Sequence, residues 1–211
     1  MTDKLTPEQV SAAQQLISSA ANIVILTHTS PDGDAMGSSL GMMHYLRGLG
    51  KRATVVAPNP FPSFLAWMPG AQEVIVYETH AKEANVVLET ADLAICTDFN
   101  EPKRIGMVGD KLKALTCPKI LIDHHLHPED FADVTISYFD SPSASELVYR
   151  LIWQLNAPLT KDAATCLYTG MMTDTGNFSF NSNHPEMYEI VGRLVSLGVD
   201  KDAVYNAVFN S

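Results

Sequence analysis

Asp123-His124-His125 sets a carboxylate and two imidazoles side by side, directly after the apolar run Lys119–Ile122. Imidazole and carboxylate groups together serve two kinds of chemistry, proton transfer near neutral pH and the holding of divalent cations. The same arrangement recurs twice. Asn22–Leu26 is apolar and is followed by His28, Asp32 and Asp34; Leu93–Cys96 is apolar and is followed by Thr97 and Asp98. Asp174, within Met171-Met172-Thr173-Asp174-Thr175-Gly176, adds another carboxylate. Carboxylates brought together do not all stay ionised unless a cation joins them: either their pKa values rise or they bind metal. No cysteine belongs to the set. Oxygen and imidazole donors suit Mn²⁺ or Mg²⁺, with Fe²⁺ and Zn²⁺ as further options, better than a thiolate zinc site does. There are more donors than one ion needs. Two ions about 3.5–4 Å apart, sharing a carboxylate, would use them and would activate a water for attack on phosphorus.

Each residue taken alone has a plainer reading. His28 reads as a hydrogen-bonded loop histidine, Asp98 as a turn residue and Ser143 as a helix cap. Asp34 reads as the cap of the helix after it and as a ligand as well. Met36, Met42, Met43, Met171 and Met172 read as core, His80 and His184 as solvated, and Asn177-Phe178-Ser179 as a chance glycosylation sequon. All the plain readings at the candidate site would have to hold at once, at successive sheet-end positions, and that coincidence favours a site.

The elements that would carry these residues follow from pattern. Short apolar runs bounded by turn residues read as buried parallel strands, and open α/β sheets do their chemistry beyond the carboxyl ends of such strands. Strands are expected at Asn22–Leu26, Ala53–Ala57, Glu73–Tyr77, Leu93–Cys96 and Lys119–Ile122, with a late or edge strand at Val134–Phe139. Thr6-Pro7-Glu8-Gln9 and Ser143-Ala144-Ser145-Glu146 have the spacing of capping boxes that open helices. Further helices are expected after Asp34, over Ala81–Thr90, through Leu112 and Leu115, from Thr160 into Asp174, from Asn183-His184-Pro185-Glu186, and after Asp200. Pro58–Gly70 reads as an irregular excursion with a short helix. The fold class is α/β, a mostly parallel sheet with helices on both faces and a helical C-terminal part.

Composition narrows the function. Lys and Arg number 14 against 24 Asp and Glu, a net charge of -10, which argues against long duplex nucleic acid as a partner. It leaves room for a small anion held through metal ions. Cys96, Cys117 and Cys166 are odd in number and widely spaced, as expected of buried thiols in a reduced compartment. No signal-like segment opens the chain and no apolar stretch approaches a membrane span, so the expected location is the cytoplasm, with no membrane partner.

The motif set resembles the DHH phosphoesterase family. The residues that carry the likeness are Asp123-His124-His125, the upstream His28-x-x-x-Asp32-x-Asp34-Ala35-x-Gly37-Ser38, Asp98 with Arg104 and Gly106, and Thr173-Asp174-Thr175-Gly176-x-Phe178. The four motifs stand in family order and span nearly the whole chain. Within the family the chain is most similar to the nano-RNase and pAp-phosphatase branch, often loosely labelled exopolyphosphatase-related. The resemblance implies that His28 and Asp32 hold one metal, that Asp34, His124 and Asp174 hold the other, and that Asp98 bridges them. It implies two Mn²⁺ ions, with Mg²⁺ or Fe²⁺ as substitutes. His125 would face the substrate phosphate as donor or general acid, Arg104 would be a substrate contact, and Asp123 would fix its neighbours. Asp98, Asp123 and His125 are thus the expected catalytic residues.

The implied activity is hydrolysis of phosphate esters in short oligonucleotides or pAp-like nucleotides, and a homodimer is compatible with it. The alternatives are an inorganic pyrophosphatase or exopolyphosphatase, a cyclic-dinucleotide phosphodiesterase and, from another class, a non-catalytic metal or nucleotide sensor. The family's pyrophosphatases tend to lack the glycine found here as Gly176, which favours nucleotides. A sensor would be expected to have lost a ligand, and none is lost. The family's small C-terminal substrate-binding domain, with its glycine-rich His motif, is not among these residues, so 1–211 reads as the catalytic domain.

Overall fold

Strand alternation decides which side of the sheet each apolar residue joins. In β1 (Asn22–Leu26), Ile23 and Ile25 enter one buried cluster while Val24 and Leu26 enter another. Such a strand needs a helical layer on both faces, and both are present. The computed structural model describes residues 1–210, with six strands and eight α-helices.

The chain runs α1 (Pro7–Ser19), β1, α2 (Gly33–Gly48), β2 (Arg52–Ala57), β3 (Ile75–Val76), α3 (Ala81–Thr90), β4 (Leu93–Thr97), α4 (Val108–Ala114), β5 (Lys119–Asp123) and β6 (Val134–Ser137). Then come α5 (Ala144–Gln154), α6 (Lys161–Asp174), α7 (Pro185–Ser196) and α8 (Lys201–Phe209). The sheet order is β3-β2-β1-β4-β5-β6 and every pairing is parallel. Helices α1, α2, α5, α6 and α7 pack on the face that takes Ile23 and Ile25, and α3 and α4 cover the other. The expected α/β architecture with a helical C-terminal part is what forms.

Because β1 is central and the chain winds outward from it in both directions, the order reverses between β1 and β4. A crevice opens at such a switch point, beyond the carboxyl ends of the strands. His28 follows β1, Asp98 follows β4 and Asp123 ends β5, so the chemistry-bearing residues lie at neighbouring strand ends there.

Several local expectations shift. Asp34 was expected to cap α2, but Asp32 does so, its Oδ1 accepting from Ala35 N at 2.9 Å. Glu73–Tyr77 yields only the two-residue β3, because Ala71–Glu73 closes into a 3₁₀ turn behind Gly70. Val134–Phe139 stops at Ser137, on the open edge of the sheet. Thr6 and Gln9 form the full reciprocal capping box, at 3.1 and 2.9 Å. The second box forms only half: Ser143 Oγ accepts from Glu146 N at 3.1 Å, while the Glu146 carboxylate turns to Ser141 and Arg150. Met36, Met42, Met43, Met171 and Met172 are buried as expected, and all three cysteines are free, Cys96 and Cys166 buried but Cys117 only partly. No helix among the described residues is long and apolar enough to cross a membrane.

Candidate metal centre

Loops at three strand ends and the first turn of α2 converge on one cluster. Asp98 follows β4 in a left-handed conformation (φ 65°), which aspartate tolerates better than most residues. Its N–H continues the β4–β5 ladder by donating to Ile122 O at 3.0 Å. The β1 loop is tied to the 3₁₀ turn after β4: Thr29 N donates to Arg104 O at 2.9 Å. Asp34, fully buried, accepts from Ala144 N at 2.7 Å and Ser145 N at 2.9 Å in the first turn of α5. It therefore caps a helix 110 residues away instead of its own, where the N-terminal dipole favours a carboxylate.

Two groups of donor atoms share Asp98. His28 Nε2 lies 3.6 Å from Asp32 Oδ1 and 3.3 Å from Asp98 Oδ2. His124 Nε2 lies 3.3 Å from Asp98 Oδ1, 3.4 Å from Asp174 Oδ2 and 3.6 Å from Asp34 Oδ2. In each of the triplets His28–Asp32–Asp98 and Asp34–His124–Asp174 the donor atoms lie within 4.8 Å of one another. A third triplet, Asp98–His124–His125, meets the same distance.

The histidines differ in how their other nitrogen is held. His28 Nδ1 is 2.7 Å from Thr29 O, and His124 Nδ1 is 3.1 Å from Ser141 O. A carbonyl only accepts, so each Nδ1 carries the hydrogen, and in the neutral ring each Nε2 turns a lone pair on the carboxylates. That is the arrangement in which an outer partner orients a metal-ligating histidine. His125 is held the other way. Its Nδ1 lies 2.6 Å from Asp123 Oδ1, and its N–H donates to Asp123 Oδ2 at 3.0 Å. The nitrogen nearest Asp98, at 3.9 Å, is thus already engaged, and the half-exposed ring presents Nε2 elsewhere.

Electrostatics register the crowding. Burial works against a charged His28 ring, but Asp32 and Asp98 outweigh it and push its pKa up to about 11. Burial opposes charge on His124 too, and Asp98, Asp34 and Asp174 push it up to about 10. Asp174 is raised to about 7 by burial and by Asp98, and Asp34 is raised well above its ordinary value by burial, Asp98 and Asp174. Asp98 is itself buried, which would raise it, yet the histidines hold it below its ordinary value. Without metal, protons on the imidazoles are the counter-charge. The residues fit divalent cations on a further ground: buried Asp98 Oδ1 makes no well-formed hydrogen bond, its nearest cationic group being the His124 ring at 3.3 Å, so a cation taking that proton's place would meet it.

Arg104 is exposed on the rim beside the β1 loop, and its guanidinium makes no ion pair among the described residues. Sequence reasoning missed Thr29 and Ser141, whose main-chain carbonyls orient His28 and His124; a carbonyl has no signature in residue type. It also missed the anchoring of Asp34 on α5, which only the tertiary fold makes.

Residues 22–171 match the family model described as the DHH family, N-terminal domain. The chain belongs to the DHH phosphoesterase family. Among curated proteins it is 34% identical over 177 residues to the bifunctional oligoribonuclease and PAP phosphatase NrnA of Thermus thermophilus, covering 84% of this chain and 50% of that one. It is 27% identical over 199 residues to the NrnA of Bacillus subtilis, covering 90% and 57%. The chain thus spans about half the length of these relatives. The crystal structure of an exopolyphosphatase-related protein from Bacteroides fragilis superposes with a TM-score of 0.99 at 44% identity, covering all of this chain and 63% of that one.

Proposed function

We propose that the chain hydrolyses phosphate esters of short oligonucleotides or pAp-like nucleotides at a dinuclear metal centre. The observation that carries this reading is the division of one carboxylate. Asp98 Oδ2 faces His28 and Oδ1 faces His124, each within a separate set of donors. In this reading His28 and Asp32 would hold one ion, Asp34, His124 and Asp174 would hold the other, and Asp98 would serve both. Two Mn²⁺ ions, with Mg²⁺ or Fe²⁺ as substitutes, would supply a water of lowered pKa and charge to offset the phosphoryl oxygens.

The chain's own residues do the rest. The four metal-facing carboxylates balance two divalent ions by formal count, so an anionic phosphate can approach despite the acidic chain. His125, steered by Asp123, donates from its free nitrogen to a phosphate oxygen. The hydrogen bond to Asp123 favours the protonated ring, raising the pKa of His125 while partial burial opposes it. Arg104 reaches from the rim to a second phosphate of the substrate. The nucleotide substrate class rests on Gly176 and on what the NrnA relatives are named for.

Product analysis with pAp, di- to pentaribonucleotides, a cyclic dinucleotide and pyrophosphate, side by side in Mn²⁺ and after chelation, tests this reading. Release of nucleotide products that stops on chelation is expected. Turnover of pyrophosphate alone would replace the nucleotide reading, and ligand binding with no turnover of any of the four would make the chain a sensor.

A further inference from the structure

The turn that follows Asp174 is held in an unfavourable conformation, and it puts an aromatic ring into solvent against Gly176, two residues past Asp174. Gly176, Asn177 and Phe178 all have positive φ, at 54°, 56° and 62°, and Asn181 follows at 49°. A left-handed phenylalanine is a costly exception, and such strain tends to persist at functional sites. The turn is pinned by Asn177 N to Met172 O at 2.8 Å, Phe178 N to Thr175 Oγ1 at 3.1 Å, and Phe180 N to Thr175 O at 3.1 Å.

Its two phenylalanines are sent in opposite directions. Phe178 packs inward between Tyr168 and Tyr188, with ring centroids 6.0 and 6.2 Å away. Phe180 is 56% exposed. Its ring lies flush on Gly176, two residues past Asp174: a Cβ added there would collide with Phe180 Cε1 and stand 3.0 Å from Cδ1. Hydrophobic burial explains Phe178 and gives no account of Phe180. Gly176 is therefore the seat of the ring as well as a turn residue, and it ties the ring to the turn that begins at Asp174.

We propose that Phe180 is a stacking platform for a base of the nucleotide substrate, positioned beside the phosphate-reacting centre by the bare backbone of Gly176. The inference rests on the nucleotide reading above and deepens it, since it names where the base goes. An aromatic ring serves any base, because every base has a π-face. The platform gives affinity for nucleotides over baseless phosphates without choosing among sequences.

The test compares Phe180→Ala and Phe180→Trp with the unaltered 211-residue chain, all in Mn²⁺. Binding of adenosine 5′-monophosphate and of ribose 5-phosphate is measured by calorimetry. Turnover of adenosine 3′,5′-bisphosphate and of ribose 3′,5′-bisphosphate is measured in parallel. Phe180→Ala is expected to weaken binding of the adenosine compound roughly ten- to a hundredfold and to lower its kcat/KM by a similar factor. The ribose compounds should be unaffected, and Phe180→Trp should behave like the unaltered chain. Equal losses on base-bearing and baseless compounds, or no loss on either, would overturn the platform. The parent reading fails separately. Phe180-dependent binding of the adenosine compound with no turnover leaves the platform and removes the phosphoesterase. Turnover of both bisphosphates, with no preference for the adenosine compound in binding, does the reverse.

Discussion

Asp123 grips His125 twice, with Oδ1 2.6 Å from the ring Nδ1 and Oδ2 accepting the backbone N–H at 3.0 Å. The double contact fixes the ring and commits the nitrogen nearest Asp98. His125→Ala is therefore expected to bind Mn²⁺ with unchanged stoichiometry and to lose turnover by about 10²–10⁴-fold, the range of a missing general acid. Asp123→Asn should keep both metals and lose part of that turnover, because the amide holds the ring less firmly and does not sustain its charge. Metal analysis of the purified variants checks this. Loss of an ion in His125→Ala would exchange the proposed roles of His124 and His125.

Asp98→Asn should be the most damaging single change to metal binding, because one carboxylate serves both groups of donors. Asp32→Asn, by contrast, alters the exposed end of one group and should weaken one ion while sparing the other. Titration of Mn²⁺ by calorimetry distinguishes the two outcomes. Two ions bound to Asp98→Asn with unchanged affinity would rule out the bridge.

Metal should stabilise the fold, and more so at higher pH. His28 and His124 titrate in the folded protein at about 11 and about 10, above the ordinary 6.5. Groups raised in this way contribute stability that is fully present below about pH 6.5 and is lost as pH rises through the folded values. Asp174, raised from 3.8 to about 7, likewise loses its contribution between those values as pH rises. Asp98, shifted down, acts oppositely, but only in the acid range. The metal-free protein is thus expected to become less stable from about pH 6 to about pH 9. Mn²⁺ competes with the same protons, so its affinity grows over that interval. At a hundredfold excess over Kd it adds about 2.7 kcal/mol. Melting curves in Mn²⁺ and in chelator should separate further at the higher pH. Curves that coincide at both would count against a formed centre.

Much of this was legible because side-chain identity at strand ends is written in the residues themselves. The bounds of β1 are those its apolar run suggests, and Asp98, His124 and His28 fall where their strands stop. What the sequence does not reveal is which distant backbone claims a side chain. Asp32 and Asp34 both stand within reach of an N-cap, and local pattern favours either. The amides of Ala144 and Ser145 decide it by taking Asp34. Phe178 and Phe180 are alike in the sequence, and only the left-handed turn between Gly176 and Phe178 sends one inward and the other out.

The spacing of α2 and α6 should control the centre from a distance, since one carries Asp34 and the other ends in Asp174. They touch through glycine. A Cβ at Gly37 would stand 2.6 Å from Cys166 O and 2.8 Å from the backbone of Gly170, atoms that cannot yield without moving a helix. At Gly41 the obstacle is the Leu167 side chain, which can rotate, and at Gly48 nothing lies within 4 Å. The same substitution along one helix is therefore expected to change sign. Gly37→Ala should destabilise the protein by about 1–3 kcal/mol, as overpacking does, and should weaken Mn²⁺ binding because Asp34 and Asp174 are pushed apart. Gly48→Ala should stabilise it by up to about 1 kcal/mol through better helix propensity, with Mn²⁺ affinity unchanged. Denaturant melts with and without Mn²⁺ on both variants make the comparison. If Gly37→Ala kept full stability and full Mn²⁺ affinity, the helix contact would not be what sets the distance between the two carboxylates.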